Sequence, residues 1–153
     1  MLPESTKSWL NEFDFPKYRE AIRNNQEETK KHLADVGIAL DSDIAEFYLN
    51  FGALTATGWY ELLEPRTLRD ATDYVHSEFD IPTHFIPLTA HEGGGFSLLD
   101  LESGRVYDLT FGEIGDLVAG TLEPVAGSFA DYLEWRRNRH NTNAQVQERS
   151  ATE

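Results

Sequence analysis

The chain has 153 residues, 40% of them hydrophobic and 12% aromatic, which suits one folded domain with a sizeable core. Thirteen Lys and Arg against 27 Asp and Glu leave a formal charge of -14, and this argues against nucleic-acid binding, which needs clustered bases to grip phosphate. The absence of cysteine excludes disulfides, thiol nucleophiles and cysteine-ligated metals, and no apolar run approaches the roughly 18 residues of a membrane span, so no membrane association and a cytoplasmic location are expected.

The first 40 residues read as a helical region. In "DFPKYREAIRNNQEETKKHLADVG" a helix starts with Asp14 near its cap and Pro16 near its first turn, and Tyr18 and Ile22 share a face. Asn24 and Asn25 are candidates to interrupt it, Glu27 and Lys31 stand four apart as an exposed helical pair, and Gly37 offers a stop. His32 reads as a solvated side chain. The most regular pattern comes next, in "LDSDIAEFYLNFG", where Asp41 or Ser42 caps a helix with Ile44, Phe47, Tyr48 and Phe51 on one face and Gly52 at its end. "TGWYELLEP" predicts a strand with Trp59, Glu61 and Leu63 on one face and Tyr60, Leu62 and Glu64 on the other. Pro65 opens a further helix, "PRTLRDATDYVHSEF", with a stripe of Leu68, Ala71 and Val75 and with Arg66, Asp70 and Asp73 off it.

The period then changes. "IPTHFIPLTA", held between Pro82 and Pro87, predicts a short extended segment that feeds a sheet. "GGFSLLDL" and "RVYDLTF" flank the turn "ESG", in which Gly104 is suited to a positive φ, so Glu92 to Phe111 reads as a β-hairpin. The three glycines at its start tempt a catalytic reading. A phosphate loop, however, needs glycines leading into a helix with Lys and Ser or Thr behind them, and these lead into a strand. An esterase oxyanion loop needs a GxSxG elbow, which the chain lacks, and a zinc HExxH helix would need a second His where Gly95 stands. The glycines are therefore read as backbone necessities where a strand bends or another backbone lies close. His76, His84 and His91 stand without a ligand spacing. Close carboxylate pairs such as Asp41 with Asp43, or Asp70 with Asp73, arise by chance among 27 acids, so neither an enzyme, a metal nor a cofactor is expected.

The last predicted helix is "VAGSFADYLEWRRNRH". Ser128 is its cap, or Gly127 precedes it; Phe129, Tyr132, Leu133 and Arg136 form one face with Trp135 at the margin. Arg136, Arg137 and Arg139 meet the negative end of the helix dipole, and the residues from 139 to 153 predict a polar, flexible tail.

Taken in order, "IAEFYLNFGA", "GWYELLE", "IPTHFIPLTAHEGGGFSLLDLESGRVYDL" and "VAGSFADYLEW" resemble the SUKH superfamily, which includes fungal cell-wall-assembly regulators and many bacterial immunity proteins. The resemblance runs from about Leu40 to Trp135. Its most specific part joins Ile86, Pro87, Gly94, Gly95, Asp100, Gly104, Val106 and Tyr107 to the late Ser128 and Phe129. Where the family has "NG" after the first core helix, this chain has "NFGA", Asn50 to Ala53. The resemblance implies a single α+β domain, mainly antiparallel, with the glycine-led hairpin at its centre and helices from both ends packed on it. Its core would cover 41–138, joined by the helices of 1–40. It also implies a protein that binds and neutralises a cognate toxin domain by occlusion. Given the charge, that toxin is expected to be basic, as a nuclease would be. The carboxylates expected to face it are Glu61, Glu64, Asp108, Glu113 and Asp116, each read as standing at an element end. The alternative reading is a SUKH module that scaffolds other proteins.

Overall fold

The computed structural model describes residues 1–12, 16–52, 62–91 and 94–139. Four helices come first: α1 (Glu4–Leu10), α2 (Pro16–Asn24), α3 (Gln26–Asp35) and α4 (Asp43–Phe51). A 3-10 turn (Pro65–Thr67) leads into α5 (Leu68–Glu78), and then come the strands β1 (Phe85–Pro87), β2 (Gly95–Asp100) and β3 (Val106–Thr110). A second 3-10 turn (Phe111–Glu113) opens α6 (Ile114–Ala119), and α7 is helical over residues 129–139. The three strands form one antiparallel sheet in the order β1-β2-β3, so the architecture is α+β.

Local chemistry sets these boundaries. Pro16 stands first in α2, where its missing N–H costs nothing, and Asn25 separates α2 from α3. The predicted cap Asp14 lies outside the described residues. At the end of α3 the Ile38 N–H donates to the Leu33 carbonyl (3.0 Å) and the Gly37 N–H to that of Ala34 (3.1 Å). This is a Schellman arrangement, with Gly37 at φ +85° and the buried Leu33 and Ile38 at the two ends of the longer bond. Ser42, rather than Asp41, caps α4 by accepting from Ala45 N–H. Two pairings differ from expectation. Glu27 meets Lys30, not Lys31, at 3.0 Å, because spacings of three and four both bring side chains together on a helix. In α5 the buried stripe is Leu68, Thr72 and Val75, with Ala71 only half-buried.

The sheet has two covered faces. Register pairs Phe96 with Leu109, Leu98 with Tyr107 and Pro87 with Leu98, so Phe85, Phe96, Leu98 and Leu109 share a face. They pack with Val75, Ile81 and Leu117, that is, beneath α5 and α6. The opposite face carries Ile86, Leu99 and Val106, which join residues of α1, α3, α4 and α7 in the larger core. Consequently Phe96 to Leu99 are all buried, and β2 reads as a nearly unbroken apolar run rather than an alternating one. Of the strand predicted in "TGWYELLEP", Trp59, Tyr60 and Glu61 lie outside the described residues; Leu62 forms an isolated antiparallel bridge with Thr89.

Three carboxylates tie the helices to one another. Glu46 accepts from the Leu2 N–H (2.7 Å) and pairs with Lys7 Nζ (2.9 Å), fastening the start of the chain to α4. Asp43 accepts from Ala130 N–H (3.0 Å), so the first residue of α4 also satisfies an N-terminal amide of α7. Glu134 of α7 accepts from the Trp9 indole (2.7 Å). Among the described residues no helix is long and apolar enough to cross a membrane.

This packing sets two tests. A Cβ at Gly95 would lie 2.5 Å from the Leu109 carbonyl oxygen, a backbone atom that cannot swing aside, whereas Gly94 (φ +90°) has open space and only an unfavourable dihedral. Gly95→Ala should therefore lower unfolding free energy by about 3 kcal/mol and Gly94→Ala by about 1 kcal/mol, read by urea denaturation. The second concerns Glu46. Partial burial pushes its pKa up, but the hydrogen bonds from Lys7 and Leu2 and the nearby positive charges outweigh this and leave it below the ordinary 4.5. A lowered folded pKa gives stability that is present above 4.5 and lost as the pH falls through the folded value. Glu46→Gln should thus be less stable than the parent at pH 7, with the difference shrinking as the pH falls below 4.5.

Candidate functional site

The register of the hairpin creates the largest groove among the described cavities, about 760 Å³, between the open end of β2–β3 and α7. Ser97 stands opposite Asp108 and Gly95 opposite Thr110, on the face that deeper in carries Leu99 and Val106. The face therefore turns polar as it leaves the core. From the helix side, Tyr132, Arg136 and Arg139 recur at i, i+4 and i+7, so one stripe runs from the buried Tyr132 out to two guanidinium groups in the groove.

These groups are joined. Ser97 is buried, and its hydroxyl donates to Asp108 Oδ1 at 2.8 Å. Arg139 Nη1 lies 3.8 Å from Asp108 Oδ2, and its guanidinium carbon sits 4.8 Å over the Trp135 ring. Arg136 Nη1 donates to the Tyr132 hydroxyl at 3.2 Å. Burial is the main reason the Tyr132 pKa is raised; Arg136 and a hydrogen bond with Ser97 oppose it, and the Asp108 charge adds to it. On the opposite wall the Thr89 hydroxyl accepts from the Ser97 N–H at 2.9 Å. The result is a hydrogen-bonded set of hydroxyls flanked by one carboxylate and two guanidinium groups. It is suited to hydrogen-bonding polar groups and to pairing with charges of both signs.

The five predicted carboxylates do not converge on one place. Asp108 and Glu113 line the groove. Asp108 lies within β3 and not at an element end, because the strand continues to Thr110. Glu113 is not a free carboxylate either. It accepts from the Thr110 N–H at 3.0 Å, completing a capping box with Thr110. Asp116 is exposed in the first turn of α6. Glu64 stands elsewhere, 2.8 Å from Arg66 Nε, and Glu61 is outside the described residues.

Ser97, Tyr132, Arg136 and Arg139 are functional candidates that sequence reasoning misses. Two signals could have found them: a serine inside the apolar run "GFSLLDL", and arginines continuing the Tyr132 stripe outward. Residue 139 is helical and is the last described position of α7, so the end at which the arginines are expected to meet the helix dipole, with the predicted tail, lies outside the described residues. His84 also differs from expectation. Pairing of β1 with β2 brings its ring within 4.8 Å of donor atoms of Asp100 and Glu102. Asp100 already holds the hairpin turn, however, accepting from Glu102 N–H (2.9 Å) and the Ser103 hydroxyl (2.8 Å).

Comparison with protein-family models, curated proteins and solved structures found no match for this chain.

The groove floor yields its own test. Thr89→Val keeps the shape but removes the acceptor of a buried amide, which costs about 1–3 kcal/mol when left unsatisfied. Denaturation should show a loss in that range, and hydrogen exchange should show faster exchange at the Ser97 amide than in the parent.

Proposed function

We propose that the chain is a SUKH-type immunity protein, one that binds a basic toxin domain and neutralises it by covering its active site or nucleic-acid groove. The observation that carries this reading is the separation of charge along the fold. From Leu68 to Trp135, the stretch supplying α5, the sheet, α6 and most of the groove apart from Arg136 and Arg139, there are thirteen acidic residues and two basic ones, Arg69 and Arg105. A surface so biased attracts a cationic partner and raises its rate of encounter. The sequence resemblance supplies the immunity role and the charge supplies the kind of toxin. On this reading the glycine-led hairpin is scaffold, its glycines serving the close approach of Gly95 to Leu109.

The experiment is co-purification with the product of the adjacent gene, then binding kinetics and a growth-rescue assay. A basic partner whose toxicity is relieved is the expected result. Capture of a non-toxic protein would favour the scaffolding alternative. The on-rate should fall steeply as salt rises from about 0.01 M to 0.15 M, where the screening length shrinks from about 30 Å to 8 Å. Neutralising Glu61, Glu64 and Asp116 should slow association more than it affects folding. Asp108 and Glu113 are left out of that set, since each has a hydrogen-bonding role in the fold. A salt-independent on-rate with a confirmed partner would refute electrostatic steering.

A further inference from the structure

On the α5 side of the sheet two aromatic rings are exposed, one on α5 and one in the 3-10 turn that opens α6. Tyr74 is 42% exposed and Phe111 39%. Neither is isolated: Tyr74 stacks on His91 (ring centres 4.4 Å apart, 18° between planes), and Phe79 stacks on Phe111 (5.2 Å, 20°). Edge contacts of Phe79 with Tyr74 (5.9 Å) and His91 (6.0 Å) join the two pairs into one patch, and Phe96 anchors it to the sheet. Near these rings in sequence acidic residues predominate. Asp70 and Glu78 stand one turn before and after Tyr74 on α5, Asp80 comes directly after Phe79, and Asp116 lies five residues beyond Phe111; all four are exposed. The nearest base in the sequence, Arg69, is engaged with the Asp35 carbonyl (2.8 Å) and with Asp73 (3.2 Å).

We propose that this patch is a docking site for an arginine side chain presented by a basic protein segment. Aromatic faces attract cations through their quadrupoles, and guanidinium stacks on them more readily than a strongly hydrated ammonium does. The surrounding carboxylates supply the counter-charge. A purely apolar occupant would have to leave these carboxylates beside a dry interface, and a second copy of the chain would bring its own charge of -14 against the same sign. The proposal rests on the reading that the partner is a basic protein and specifies how such a partner is held.

Two synthetic peptides of equal charge serve as probes, acetyl-GRGRGRG-amide and acetyl-GKGKGKG-amide, titrated into isotopically labelled protein and monitored by aromatic NMR. The arginine peptide should shift the Tyr74, Phe79, His91 and Phe111 ring signals and bind roughly three- to fivefold tighter than the lysine peptide. Tyr74→Ser with Phe111→Ser should bring the two affinities together while leaving lysine binding unchanged. Should that variant fail to fold, Asp70→Asn with Glu78→Gln should weaken the arginine peptide at the same ring signals. Equal affinities in the parent, ring signals that do not move, or a dimer in sedimentation that Phe111→Ser dissolves would each overturn the proposal. Arginine docking without relief of toxicity would leave the patch standing and remove the immunity role. Full relief and unchanged toxin affinity in the folded Tyr74→Ser, Phe111→Ser variant would do the reverse.

Discussion

Burial of β2 on both faces is the constraint on which the rest of the fold depends. A sheet of three strands is too small to hide its own central strand, so each face of Phe96 to Leu99 must be covered by helices. One face is covered by the short sequence on either side of the hairpin, through α5 and α6. The other needs α1, α3 and α4 from the beginning of the chain and α7 from its end. Covering the second face thus brings the first and last described helices together. The hydrogen bonds Trp9 to Glu134 and Ala130 to Asp43 are made where they meet. The close approach of Gly95 to the Leu109 carbonyl belongs to the same requirement, because a side chain there would push β3 off the strand that both helical layers grip.

An acidic chain has to keep its carboxylates from working against its own fold, and this one divides them into two kinds. Asp43, Glu46, Asp100 and Glu113 each accept from a backbone N–H that would otherwise lack a partner, at a helix start, the chain terminus or a turn. Carboxylates in such positions are favoured by partial positive charge on the amides, which offsets part of the repulsion that each, still fully charged, meets from the others. The others, among them Asp70, Glu78 and Asp116, are exposed on helices, where they contribute to the outward field. Position in the sequence does not separate the two kinds, since both occur at element ends. Whether an N–H points at the carboxylate does.

Sequence reasoning reaches what is local. The cap at Ser42, the stop at Gly37, the break at Asn25 and the hairpin with its turn at Gly104 are all set by residues within a few positions of each other, and all appear in the structure. The groove is less accessible. Asp108 and Glu113 stand out by their charge, but that Ser97 lies opposite Asp108 depends on strand register, and that Arg139 reaches it depends on how α7 crosses the sheet. Neither is carried by a window of sequence. The stripe on α5 fails for a related reason: Ala71 and Thr72 are adjacent, and which one turns inward depends on where β1 lies. The aromatic patch is wholly non-local, its rings coming from α5, the segment after β1 and the turn after β3.

The groove and the patch meet at the open end of the hairpin. Thr110 lines the groove and Phe111, the next residue, belongs to the patch; Phe96 lines the groove and touches both Phe79 and Phe111. The capping box between Thr110 and Glu113 fixes the direction in which the chain leaves β3, and with it the placement of Phe111 relative to Asp108. A segment lying across this junction would meet carboxylate-rimmed rings on one side and, on the other, hydroxyls with a carboxylate and two guanidinium groups. Cations along the segment would be favoured at the first and an acid or amide at the second. For the basic partner proposed above, such an arrangement would make the order of its charges matter as well as their total, so a basic protein of the wrong sequence would be drawn to the surface without fitting it.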